Sequence, residues 1–352
     1  MSKSAPPRRG WTTGACAAGA ARAAWTAWTA GAFPDPVPCR LPGNRAARFA
    51  LAARGLNAES AWATVVKDAG DDPDVTHGAR ITATVAPNPP GAGTTFHAGP
   101  GVGTVTRPGL PLEPGEPAIN PAPRRIIADN LAAVGAGADA AVTVAIEDGE
   151  TLAERTLNPR LGIAGGLSVL GTTGVVEPWS AGAWIASLRQ AVSVAKAGGF
   201  RRVAAATGRT SAAAAQAETG LNDAAVVEMG DFAAAFLRFL RRMPVPRLTL
   251  AGGIAKLAKL AAGHGSLHSA HAPLDPGALA AYLPDRPDTA AAVAAAPTAA
   301  AALATAETAG APLADRVAAA ARAAALARLD GAPVAVDVLV VDRAGRIAGR
   351  AD

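Results

Sequence analysis

The chain has 352 residues and a formal net charge of +5; half of its residues are hydrophobic and only 4% are aromatic. That length supports two domains with a core in each, and so few aromatic side chains leave packing to close contacts among alanine-rich helices and sheets. Its basic residues are scattered, with no run and no aromatic interleaving of the kind that tracks nucleic acid. Nucleic-acid binding is therefore set aside, and a mildly basic surface suits an acidic small molecule instead.

Residues 1–9 read as a disordered leader without the apolar core of a signal peptide. No stretch of 18 or more apolar residues is free of charges, Gly and Pro, which predicts no membrane span. Cys16 and Cys39 stand in no C-x-x-C pair, so free thiols in a reducing compartment, the cytoplasm, are expected. From Trp11 to Gly31 the chain reads as an alanine-rich helix capped by Thr12 or Thr13 and ended by Gly31. Its T-T-G start offers N–H groups for an anion. Phe33–Leu51 reads as loop and edge strand.

The densest polar cluster is Val65–Gly78, V-V-K-D-A-G-D-D-P-D-V-T-H-G. Apolar, β-branched residues lead in and out, so the cluster reads as a tight loop between two strands. It holds Lys67, Asp68, Asp71, Asp72, Asp74, Thr76 and His77. Four carboxylates on one turn repel one another and require a partner: Lys67, His77, backbone N–H groups, a cation or a ligand. The spacing is not that of a calcium loop, and one His without further soft ligands makes a poor zinc site. No protein-bound metal is predicted.

After a Pro/Gly-rich loop around residues 86–95, Gly99–Leu110 carries Gly99, Gly101 and Gly103, which permit close backbone approach. Gly115–Ile127 is held extended by prolines and presents Glu116, Asn120 and Arg124 at a helix start. Val142–Ile146 reads as a strand and Asn158–Gly166 as a hinge. The domains are thus expected at 10–160 and 161–352. From Leu167 onward strands alternate with helices, which predicts a mostly parallel sheet. The expected strand-end turns are Gly171-Thr172-Thr173-Gly174, Thr207-Gly208-Arg209, Gly230-Asp231 and the Gly252-Gly253 segment, where such sheets bind ligands.

The motifs W-T-T-G-A-C-A-A, V-V-K-D-A-G-D-D-P-D-V-T-H-G, G-P-G-V-G-T-V-T-R-P-G-L, G-E-P-A-I-N-P-A-P-R and G-T-T-G-V-V-E-P together resemble one family. It is the cobalt-precorrin-5B (C1)-methyltransferase family of anaerobic cobalamin biosynthesis. M-G-D-F and G-G-I-A-K-L-A-K-L-A-A-G extend the likeness, which covers roughly residues 9–270 and fades beyond. The chain departs from the family pattern at Gly253 and Ala255, and at Leu267-His268, where a T-H pair is usual; His264, His268 and His271 remain nearby.

The resemblance implies an N-terminal α+β domain and a C-terminal Rossmann-like α/β domain. It implies methyl transfer from S-adenosylmethionine to C-1 of a cobalt corrinoid, the cobalt arriving inside the substrate. Such a reaction loses one proton, and the crowded loop nominates Asp68, Asp71 and His77 to take it. Lys67, Arg107, Arg124 and Arg209 are expected to hold substrate carboxylates, with Thr12, Thr13, Glu116 and Asn120 completing the acceptor set. The donor is expected at Gly171–Gly174, Thr207–Arg209 and Gly230–Asp231, with Glu228 or Asp231 on the ribose. A corrinoid carrier without transferase activity is the alternative, and a homo-oligomer is left open.

Overall fold

The computed structural model describes residues 6–135 and 139–352, so the first five residues of the expected leader lie outside the described residues. The chain divides into two compact units, Met1–Ala181 and Gly182–Asp352. The fold is a mixture of helices and of parallel and antiparallel sheets.

The first unit opens with β1 (Gly10–Trp11) and α1 (Thr13–Ala30), then β2 (Val37–Leu41), β3 (Arg45–Phe49), β4 (Ala53–Leu56), β5 (Ala61–Val66), β6 (Arg80–Pro87), β7 (Thr94–Ala98) and β8 (Thr104–Val105). There follow α2 (Pro121–Ala132), β9 (Ala140–Ile146), α3 (Gly149–Ala153), α4 (Asn158–Leu161), β10 (Ile163–Ala164) and β11 (Val175–Val176). Five strands form a sheet in the order β4-β5-β6-β9-β7, antiparallel except for the β7–β9 pair. Alternation decides which face is covered: Ile81, Ala83 and Val85 on β6 and Ala140, Val142, Val144 and Ile146 on β9 are buried. Helix α1 packs against this sheet and against α2. Alanine and glycine let it approach closely; a Cβ at Gly19 would lie 2.5 Å from the Phe49 ring.

Two expectations change here. Phe33–Leu51 holds a full hairpin, β2–β3, because the turn Pro42-Gly43-Asn44 takes positive φ at Gly43 and Asn44. The segment read as a hinge, Asn158–Gly166, is folded into the first unit: β10 pairs with β8, and Leu167 and Val169 bridge to Val102 and Ile119. Leu167–Val169 is therefore no strand of the parallel sheet.

The second unit carries α5 (Ala181–Ala197), β12 (Arg202–Ala206), α6 (Arg209–Thr219), β13 (Val226–Glu228), α7 (Ala233–Arg242), β14 (Arg247–Gly252) and α8 (Ile254–Ala261). Beyond these lie α9 (Pro287–Ala294), α10 (Ala299–Thr308), α11 (Leu313–Leu329), β15 (Ala335–Val341) and β16 (Ile347–Ala351). The sheet order is β13-β12-β14-β15-β16, with the first four strands parallel and β16 antiparallel. Alternate residues of β12 serve two cores. Val203 and Ala205 join α7, α8 and α11, while Ala204 and Ala206 face Ala212 and Ala215 of α6. Helices thus cover both faces, as parallel strands buried on both sides require. Helix α5 begins at Ala181, after Pro178 and Trp179 make a turn with Trp179 at φ +54.

Candidate functional site

The first expectation to fail is the anion site at the start of α1. Thr12 caps the helix by accepting from the N–H of Ala15 at 3.2 Å. Gly14 donates its N–H to the Leu170 carbonyl at 3.0 Å, and Thr12 donates its own to the Gly174 carbonyl at 3.0 Å. The Thr13 hydroxyl exchanges two hydrogen bonds with the Leu170 backbone, at 3.2 and 3.0 Å. Thr12 and Thr13 are buried, and their hydroxyls and the N–H groups of Thr12, Gly14 and Ala15 are engaged within the protein. The partner is the Gly171-Thr172-Thr173-Gly174 turn. Gly171, at φ +122, comes so close that any Cβ would strike Thr12. The two T-T segments lock to each other through Thr13 and Leu170, 157 residues apart, and the second lies in the first unit rather than at an end of the parallel sheet.

Beside this lock runs the acidic loop, and every aspartate in it has a partner. Lys67 is buried at 1% exposure, and its Nζ donates to Asp74 Oδ2 at 2.7 Å. Asp74 Oδ1 accepts from the Thr76 N–H and hydroxyl at 2.8 and 2.6 Å. Burial works to raise the Asp74 carboxyl, but the Lys67 charge and these bonds outweigh it and hold the group below its ordinary value. Lys67 is therefore no clamp for a substrate carboxylate.

Asp68 is gripped by the two terminal Arg8 guanidinium nitrogens and by the Gly70 N–H. The Arg8 hydrogen bond, then that of Gly70, brings its carboxyl down to about 2. Asp71 accepts from the Arg8 backbone N–H at 2.6 Å and returns its own N–H to the Arg8 carbonyl at 2.9 Å. Asp72 accepts from the Trp179 N–H at 3.0 Å. Residues Arg8 and Arg9, expected in a disordered leader, are thus ordered by this loop and its surroundings, Arg9 pairing with Glu177 at 3.1 Å.

His77 is exposed, and its Nδ1 lies 3.1 Å from the Ala69 N–H. Accepting that bond puts the proton of the neutral ring on Nε2. Of the three nominated acceptors, Asp68 is pinned at low pKa and the His77 Nδ1 lone pair is engaged. Among the described residues Asp71 is held through Oδ2 alone, which keeps Oδ1 open.

The residues offered by the extended segment brace one another. Arg124 donates to the Ile119 carbonyl at 2.7 Å, to Glu116 Oε1 at 2.9 Å and to the Pro117 carbonyl at 3.3 Å, and its guanidinium lies over the Phe96 ring. Asn120 is the N-cap residue of α2, and its N–H donates to the Val169 carbonyl. Glu116 and Arg124 consequently shape the loop instead of reaching outward. Arg107 differs. Its stem packs on Gly162, which has φ +72, and its guanidinium forms no ion pair among the described residues.

In the second unit Thr207, Gly208 and Arg209 follow β12, Gly230 and Asp231 follow β13, and Gly252 and Gly253 follow β14. Glycine at 252 is required, since a Cβ there would lie 2.8 Å from Thr207 Oγ1. Lys256, which the sequence reading did not single out, ties these ends together. Its Nζ donates to the Thr207 carbonyl at 3.1 Å and stands 3.1 Å from Asp231 Oδ1. That oxygen is buried and accepts no well-formed hydrogen bond among the described residues. A Cβ at Gly208 would meet nothing within 4 Å. Asp231, ion-paired with Lys256, and the glycines Gly208 and Gly252 thus stand at the ends of parallel strands, where such sheets bind ligands. The signal in the sequence was the lysine of G-G-I-A-K.

Gly253 caps α8 in extended conformation, and the rings of His268 and His271 lie 5.5 Å apart. Among the described residues no group of three or more His, Cys, Asp or Glu could hold a metal ion, and no helix is long and apolar enough to cross a membrane.

The family model CbiD matches residues 1–178, and the model "CbiD, C-terminal domain" matches residues 266–352. The chain is 52% identical over 349 residues to the cobalt-precorrin-5B C(1)-methyltransferase of Paramagnetospirillum magneticum, covering 98% of each chain. It is 52% identical to that of Halorhodospira halophila, covering 98% of this chain and 94% of the other. For that of Brucella anthropi the figures are 49% identity, 97% and 95%. A crystal structure of the cobalamin biosynthesis protein cbiD from Archaeoglobus fulgidus is 27% identical, with a TM-score of 0.40, covering 76% of this chain and 83% of that one.

Proposed function

The chain belongs to the CbiD family, and from that premise we propose that it transfers a methyl group from S-adenosylmethionine to C-1 of cobalt-precorrin-5B, giving cobalt-precorrin-6A. The observation that carries this reading is identity of about one half, over nearly the whole chain, to relatives named for that reaction. The donor brings a methyl carbon activated by a sulfonium leaving group. What the protein adds is alignment of the reactants and disposal of one proton.

The first unit is assigned the corrinoid. Asp71 takes the proton, since its Oδ1 is free among the described residues, while Asp68 and His77 hold the loop in shape. Arg107 meets a carboxylate of the acceptor through its unpaired guanidinium. Thr12, Thr13 and the Gly171–Gly174 turn fix the entry of α1 beside this loop.

The second unit is assigned the donor and is read as Rossmann-like. Its strand order reverses direction about β12, and crevices at such a reversal hold nucleoside ligands. Asp231 binds the ribose hydroxyls, Thr207 and Gly208 line the approach, and Lys256 holds Asp231 in place. S-adenosylmethionine is a cytoplasmic metabolite, so the reaction is placed in the cytoplasm.

Anaerobic incubation with cobalt-precorrin-5B and methyl-labelled S-adenosylmethionine tests the whole reading. Label at C-1, located by mass and NMR analysis, is the expected result. Corrinoid binding without methyl transfer overturns it in favour of a carrier.

A further inference from the structure

Trp179 breaks two rules at once, and packing explains neither. At 68% it is the most exposed of the large hydrophobic side chains among the described residues. Its backbone sits at φ +54, where a bulky L-residue is an outlier. The local sequence is Glu177-Pro178-Trp179-Ser180. A turn with proline in second place gives its third place to glycine or asparagine when positive φ is needed. An indole at this position costs backbone strain and exposes apolar surface, with no burial to offset either. Strain of this kind persists only where the surroundings impose it, and it gathers at functional positions.

The surroundings here belong to the acidic loop. The Trp179 N–H is held by Asp72 Oδ2 at 3.0 Å, and Glu177, two residues earlier, is paired with Arg9. Arg8, next to Arg9, anchors Asp68 and Asp71. The Trp179 backbone is thus tethered through Asp72 to the segment that carries Asp71 and His77. The nearby charges are largely paired off, so what this surface still offers a ligand is a broad apolar plane.

We propose that Trp179 is the stacking surface for the flat face of the corrinoid acceptor, its backbone held by Asp72, the chain neighbour of Asp71. This rests on the C-1 methylation reading, which supplies a large conjugated macrocycle as the ligand. An aromatic plane with two side-chain torsions positions such a ring at little entropic cost.

The test compares the full-length wild type with Trp179→Gly and Trp179→Phe under anaerobic conditions. Cobalt-precorrin-5B binding is read by absorbance, S-adenosylmethionine binding by calorimetry, and stability by thermal midpoint. Glycine relieves the positive φ, so W179G should melt no lower than wild type. The same variant should bind the corrinoid at least ~10-fold more weakly and leave donor affinity unchanged, while W179F stays within about 3-fold of wild type. A merely structural tryptophan gives the opposite pattern, with W179G melting lower and both ligands weakened together. Wild type that binds and methylates, matched by W179G in corrinoid affinity, removes this inference alone. Wild type that binds no corrinoid removes the methylation reading and this inference with it.

Discussion

Lys67 Nζ lies 2.7 Å from Asp74 Oδ2, with the lysine side chain only 1% exposed. A fully buried ammonium is tolerated because the carboxylate beside it is itself fixed by Thr76. The pair closes the base of the loop, where the Lys67 N–H and carbonyl also bond to Ala79 and Gly78. Replacing Asp74 by Ala strands the ammonium and should cost about 3 kcal/mol. Lys67→Met keeps the apolar stem and leaves Asp74 its Thr76 bonds, so a loss of about 1 kcal/mol is expected. Urea midpoints decide the order, and equal losses refute this account. Because the Asp74 carboxyl is held below 3.8, the folded state takes up its proton later than the unfolded chain. Its stabilising share is therefore full above pH 3.8 and fades as pH falls through the lower folded value, and Asp74→Ala should flatten that acid limb.

The second prediction separates the two aspartates that Arg8 anchors. Asp68, at about 2, is a poor base at neutral pH because Arg8 and Gly70 stabilise its charged form. Asp71 keeps Oδ1 open among the described residues. Asp71→Asn should lower kcat by about 10²-fold or more with the donor KM unchanged. Asp68→Asn should stay within about 10-fold, because the amide oxygen still accepts from Arg8. Single-turnover rates under anaerobic conditions measure both, and a larger loss for Asp68→Asn would reverse the assignment.

Much of this architecture was legible in the sequence, because local rules agreed with tertiary ones. Thr12 and Gly31 mark the two ends of α1 as capping chemistry predicts. The loop between β5 and β6 and the parallel series from β12 to β15 follow from apolar runs bounded by turn residues. The β2–β3 hairpin was missed although its signal, Gly43-Asn44, was present. What no local pattern reveals is pairing at a distance. The hydroxyl of Thr13 looks available until Leu170 is known to face it, and Lys67 looks like a clamp until its burial against Asp74 is seen. Arg8 reads as part of a loose leader because its partners lie 60 and 63 residues away. Trp179 is legible only as an oddity, an indole where the turn wants glycine.

A third prediction concerns Asp231. Its carboxylate, ion-paired with Lys256, is assigned to the ribose, which S-adenosylmethionine and its demethylated product share. Asp231→Ala should therefore weaken both by the same factor, about 10-fold or more. A loss confined to the sulfonium form would instead make Asp231 a partner of the positive sulfur. Calorimetric titration with each ligand distinguishes the cases, and unchanged affinity for both moves the donor site elsewhere.

The last prediction uses the opposite ends of the same strands. Asp337 on β15 is 4% exposed and accepts from Arg247 at 2.7 Å, from Thr249 at 3.1 Å and from Arg202. Burial works to raise its carboxyl, but the hydrogen bonds from Arg247 and Arg202 prevail and hold it below its ordinary value. Arg202 and Arg247 are the first residues of β12 and β14, whereas Thr207 and Gly252 stand at the other ends. A change at Asp337 should thus alter stability and leave donor affinity alone. Asp337→Ala is expected to cost about 3 kcal/mol, because two guanidinium groups and the Thr249 hydroxyl lose a shared acceptor. Replacing the whole cluster together, with Arg202→Met, Arg247→Met, Thr249→Val and Asp337→Leu, should return stability to within about 1 kcal/mol of wild type. Desolvating the charges costs nearly as much as their attraction yields. Chemical denaturation of the single and fourfold variants checks this. A fourfold variant as unstable as Asp337→Ala would show instead that the cluster adds net stability to the sheet.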